Sequence, residues 1–222
     1  MTDERRSGIA LIAGSAAMII TMGFHPHGKI SPAELDHVIP VLIGVHTLAL
    51  FSIPILFLGA WGMTRWLAAP DRVAWAGLVF FAAGSIAVMN AAVYDGLTAP
   101  QLFRQIVAAT PETQDGWKML MHFNSQLNQA FARVYAVASA VALILWSVSI
   151  LRNRTRGNGI GIYGIILGTV TALGIMSGRL TPDWHGFGML ILGQAIWFVI
   201  VGGKMCRADV GIGTGRTIQA GA

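Results

Sequence analysis

His122-Phe-Asn-Ser-Gln-Leu-Asn-Gln-Ala-Phe-Ala-Arg133 runs without a break into the apolar stretch Val134 to Leu151. The apolar part alone is long enough as a helix to cross most of a bilayer's hydrocarbon core, about 30 Å thick. At 100° per residue the polar part carries two stripes. One holds His122, Gln126, Gln129 and Arg133; the other holds Asn124, Asn128 and Tyr135. Lipid offers such groups no partners, so stripes leading into a membrane span must face protein, water or a ligand.

The rest of the chain has the same character. Of its 222 residues 55% are hydrophobic and only 11% charged, against about 25% charged in soluble proteins. Apolar runs recur along the whole length, leaving no room for a separate soluble domain. The net charge of +5 comes from short basic clusters between the runs. Such clusters read as topology signals, and nucleic acid is not an expected partner. The single Cys206 excludes an intramolecular disulfide.

Six spans follow from the periodicity and the breakers. Span one covers about Gly8 to Phe24, as an uncleaved helix rather than a signal peptide, and stops at His25-Pro26-His27-Gly28. Ser31-Pro32-Ala33-Glu34 reads as a capping box that restarts a helix, continuing past Pro40 and Pro54 to about Thr64. Span three covers Val73 to Tyr94, with Asp95-Gly96 as its end. Pro100 to Ala109 has apolar positions on one face only and is expected to form a short interfacial helix between spans three and four. Span four ends at Leu151. Span five covers about Ile160 to Met176, where Gly164 and Gly168 suit close helix packing. Span six covers about Gly186 to Gly202. The expected fold is thus an all-α integral membrane bundle in residues 1–207, with residues 208–222 as a flexible cytoplasmic tail.

Ten of the 15 Lys and Arg residues fall on one side of this arrangement, including Arg5, Arg6, Arg65, Arg72, Arg152 and Lys204. Lys29, Arg104, Lys118 and Arg179 fall on the other. The positive-inside rule then puts both termini in the cytoplasm of a cell with a bacterial-type inner membrane. Cys206 would face a reducing compartment. The expected surroundings are the lipid bilayer and, for a subunit of a larger complex, other membrane proteins.

Counting outward from the basic residues places a polar layer near the outer boundary. His25, His46, Arg133 and His185 each lie 19 residues from a basic residue of their own helix (25 − 6, 65 − 46, 152 − 133, 204 − 185). Asn90 is 18 from Arg72, with Tyr94 and Asp95 one turn beyond. Imidazoles from separate helices together with a carboxylate suit zinc, copper or iron. The candidate metal ligands are His46, Asp95, His122 and His185, with the His25-x-His27 pair as a second source. Arg133, Asn90, Asn124, Asn128 and Tyr94 are candidate ligand-binding residues, and Asp95 with Arg133 is a candidate structural ion pair. A single haem b between His46 and either His122 or His185 is the alternative cofactor, with Gly44, Gly186 and Gly188 giving clearance.

Six spans with scattered histidines resemble small b-type cytochromes, but the histidine spacing differs and none of their residues is carried over. The expected function is transition-metal or single-haem binding in a redox or metal-handling role. A small-anion transporter or receptor using Arg133, a structural or assembly subunit, and a membrane enzyme of another class remain as alternatives. No Ser-His-Asp order, His-Glu-x-x-His or Walker-type loop supports a named hydrolase or NTPase.

Overall fold

The computed structural model describes residues 2–26, 32–67, 72–152, 158–181 and 184–213, and side chains for all of these except 32, 184, 185 and 208–213. Seven α-helices and no strand occur among them: α1 (Asp3–Phe24), α2 (Leu35–Leu67), α3 (Arg72–Val93), α4 (Ala99–Ala108), α5 (Pro111–Arg152), α6 (Asn158–Met176) and α7 (Trp184–Gly213). Six helical stretches are long and apolar enough to cross a membrane, one in each of the six expected spans. The chain therefore has the make-up of a multi-pass membrane protein. Large apolar side chains such as Phe51, Leu58, Val79 and Ile86 point outward from the bundle, where lipid satisfies them.

Neighbour packing closes the six long helices into a ring. α1 lies between α2 and α7, α3 between α2 and α5, and α6 between α5 and α7. Glycines set the tightest seams. A Cβ on Gly14 would lie 2.9 Å from the backbone of Leu56, and one on Gly8 would lie 2.6 Å from Gly202 O. Gly164 and Gly168, the small pair expected in span five, press on Ser147 and Trp197 and on Ala140 and Ile144, respectively. Ser7 meets Gly62, and the Cys206 thiol reaches Arg5 O at 3.7 Å. The start of α1 and the basic ends of α2 and α7 therefore share one end of the bundle.

That basic end is filled. Trp146, Trp197, Phe81 and Phe198 are buried along the axis with ring centroids 5.3–6.2 Å apart. The indole of Trp146 donates to Thr64 Oγ1 and Ala74 O, and that of Trp197 to Ile160 O. Indole N–H groups are thereby satisfied, and burying these rings closes the centre without a polar penalty.

Two features depart from the sequence expectations. α3 does not end at Asp95: the chain stays helical through a π-turn over Tyr94–Thr98 and continues directly into α4. Pro100 has no N–H for the Gly96 carbonyl, so a regular α ladder would fail there in any case. The π-turn absorbs the break, with the Ala99 N–H bonding Tyr94 O. The expected short helix over Pro100 to Ala109 is present as α4, but as a continuation of α3 packed on α5. α5 has 42 residues, roughly 63 Å at the α-helical rise, about twice the hydrocarbon thickness. Pro40 and Pro54 lie inside α2, as expected. The capping-box Ser31 lies outside the described residues.

Candidate metal centre

At the end of the bundle opposite the basic residues, three helices bring His25, His46 and Asp95 together. His25 caps the C-terminal end of α1, His46 lies on the inner face of α2, and Asp95 lies in the π-turn. Nε2 of His25 is 3.1 Å and Nε2 of His46 is 3.2 Å from the same oxygen, Asp95 Oδ2. The two imidazoles meet edge to face with centroids 5.0 Å apart. One ligand atom from each residue lies within 4.8 Å of the other two.

The π-turn positions the carboxylate. An extra residue in the turn shifts the helical register, and such turns recur at functional sites. Asn124 from α5 holds the turn by donating its Nδ2 to Tyr94 O at 3.0 Å, and Tyr94 stacks on Phe131. Gly96 is the point of closest approach: its backbone lies against the His46 side chain so tightly that a Cβ would overlap His46 Cβ and Cγ. His46 itself is almost fully buried, whereas Asp95 keeps 35% of its side-chain surface. The cluster is therefore reachable from the carboxylate side.

The second ring nitrogens decide what the cluster does. His46 Nδ1 lies 2.8 Å from Leu42 O, and His25 Nδ1 lies 2.8 Å from Pro26 O. A carbonyl only accepts, so in both rings the Nδ1 position carries the hydrogen. A neutral imidazole then presents its Nε2 lone pair to Asp95 Oδ2, which is also an acceptor. Three lone pairs facing one another need either two further protons or a cation among them. The two nitrogen–oxygen spacings are compatible with a cation, since bonds of about 2.0–2.1 Å put adjacent ligand atoms roughly 2.9 Å apart at a right angle and 3.3 Å at the tetrahedral angle. The widest pair, at up to 4.8 Å, would have to draw together for all three to bind one ion. Backbone carbonyls holding Nδ1–H are also the usual means of orienting metal-bound imidazoles.

The other candidate residues divide. Asn128 lines a cavity of about 330 Å³ beside the cluster, together with Gln129 and Ser125. Asn124 and Tyr94 act on the π-turn as described. Asn90 is exposed and bonds its own helix at Ile86 O. His122 is exposed and does not join the cluster; Asn124, two residues further along α5, is the side chain turned inward to the π-turn. Arg133 is also exposed and lines no part of the cavity, and Asp95 pairs with the two histidines rather than with Arg133. His27 and the side chain of His185 lie outside what the structure describes.

Of the expected haem pairs, His46 with His122 is not assembled, because His122 is exposed and outside the cluster, and the His185 side chain lies outside the described residues. Nε2 of His46 and of His25 converge on one oxygen, whereas a porphyrin needs its axial imidazoles on opposite faces. The sequence reading also passed over a buried chain deeper in the bundle: Tyr135 OH donates to Gln194 Oε1 at 2.9 Å, and Gln194 Nε2 donates to Ser139 Oγ at 2.7 Å. Gln194 within an otherwise apolar run was its visible signal.

No protein-family model, curated protein or solved structure matches the chain.

Proposed function

We propose that this is a metal-binding membrane protein in which His25 Nε2, His46 Nε2 and Asp95 Oδ2 hold one divalent transition-metal ion. The observation that carries the reading is the orientation of the two rings, both committed through Nδ1 to backbone carbonyls and both turning Nε2 to one carboxylate oxygen. Two histidines and one carboxylate are a ligand set for zinc, copper or non-haem iron. Three protein ligands leave at least one coordination position open, the mark of a site that handles or transforms a ligand rather than a closed structural site. The adjoining cavity gives that open position somewhere to face. The role is metal handling or metal-dependent chemistry at the outer side of an inner membrane. That orientation rests on the basic residues gathered at the opposite end, with both termini cytoplasmic.

A zinc titration of the purified protein in lipid nanodiscs tests the proposal. One ion per chain is expected, lost in His46→Ala and weakened at least about tenfold in Asp95→Asn. Equal affinity in both variants would place the metal elsewhere.

A further inference from the structure

The cavity beside the three ligands has an ordered polarity. Four helices each contribute a polar residue at its upper rim and an apolar one seven positions deeper: His25 and Met18, His46 and Ile53, Asp95 and Val88, Ser125 and Ala132. Seven residues of helix are about 10.5 Å. The cavity is thus a well roughly 10 Å deep with donors and acceptors around its mouth and hydrocarbon around its floor. Asn128 and Gln129 add two amides at mid-depth, between Ser125 and Ala132 on α5, and Ile191 of α7 adds to the apolar floor. The one hydroxyl on the α1 wall, Thr21, is engaged with Ala17 O and Val45 O. Its volume of about 330 Å³ lies at the small end of ligand pockets, which run from about 300 to 1,000 Å³.

Resting on the metal reading above, we infer that this well binds one medium-chain carboxylate, with its head on the open face of the metal and its chain on the apolar floor. Charge selects the head. A divalent ion with one aspartate and two neutral imidazoles carries a net charge of +1, and no Lys or Arg lines the well among the described residues. An anionic oxygen ligand brings the total to zero, which a low-dielectric site favours. Asn128 and Gln129 can donate to the second carboxylate oxygen. Depth selects the chain: a floor of Met18, Ile53, Val88, Ala132 and Ile191 offers a head-only anion such as acetate nothing to pack against.

Cobalt(II) substituted at the site in lipid nanodiscs gives the readout, because its visible bands report a change in the coordination sphere. Acetate and octanoate are titrated against wild type and against Ala132→Leu, which fills the floor without touching a metal ligand. A retained cobalt band shows that the variant is folded around an intact site. Each buried methylene is worth about fourfold in affinity, so octanoate is expected to change the wild-type bands at a concentration at least about 100-fold below acetate. In Ala132→Leu that preference should fall at least about tenfold. A preference unchanged in the variant would mean that the bilayer, not the well, concentrates the chain, and would overturn the inference. Equal potency of acetate and octanoate in wild type would overturn it as well, leaving the metal reading intact. Absence of any cobalt band dependent on His46 would remove both.

Discussion

Replacing Gly96 by Ala adds one methyl group at the tightest contact of the proposed metal centre. Gly96 has an ordinary helical backbone, since Gly178 is the only positive-φ glycine among the described residues. Alanine is therefore conformationally allowed and even favoured over glycine by about 1 kcal/mol in a helix. Sterics work the other way. The new methyl would overlap His46 Cβ and Cγ and lie 2.9 Å from Nδ1. Carbon atoms settle at about 3.5–4.0 Å, and no rotamer change moves His46 Cβ, so the α2 backbone and with it the imidazole must retreat by more than about 1 Å. Ligand geometry tolerates only about 0.2 Å. Overpacking costs about 1–3 kcal/mol, offset in part by the helix gain of about 1 kcal/mol, so the bundle should remain folded while His46 leaves the site. Zinc affinity is expected to fall about 100-fold or more, with only a small change in thermal unfolding, both measured in nanodiscs. Gly44→Ala is the control: it lies on the same helix two residues from His46, and an added Cβ there meets nothing within 4 Å. Wild-type zinc affinity in Gly96→Ala would refute the packing argument.

Tyr135→Phe should leave zinc binding within about twofold of wild type but lower unfolding stability by about 1–3 kcal/mol, because it strips the donor from buried Gln194 Oε1. Gly14→Leu should impair both properties, read by thermal unfolding and zinc titration, since it forces apart the α1–α2 seam that holds His25 beside His46. Cys206, half-buried against Arg5, is expected to react with a membrane-impermeant thiol reagent only after cells are permeabilised. Reaction in intact cells would invert the proposed orientation.

The six spans were legible because an apolar helix of bilayer length leaves an unambiguous composition. All three residues of the candidate metal centre were among the expected ligands, and for the two histidines the reason is related. Equal helix lengths from Arg6 to His25 and from His46 to Arg65 put the two imidazoles at one depth, and they do meet. Depth alone does not give azimuth, and there the reading fell short. His122 and Gln129 share a helical stripe seven residues apart, yet Gln129 lines the well while His122 is exposed. Arg133, matched in depth, turns away from the well, and Asp95 takes His25 as its partner instead. The π-turn was the least readable element. Pro100 signals a break, but whether a break ends a helix or widens one turn depends on tertiary partners such as Asn124. Gly96 was read as the end of a span, whereas its lack of a side chain is what lets His46 approach.

X-ray absorption of the zinc-loaded protein tests the central claim most directly. The account predicts only nitrogen and oxygen neighbours at about 2.0–2.2 Å, with the outer-shell scattering of two imidazoles, which drops to one in His25→Ala. A sulfur neighbour at about 2.3 Å, or a first shell without imidazole, would contradict it.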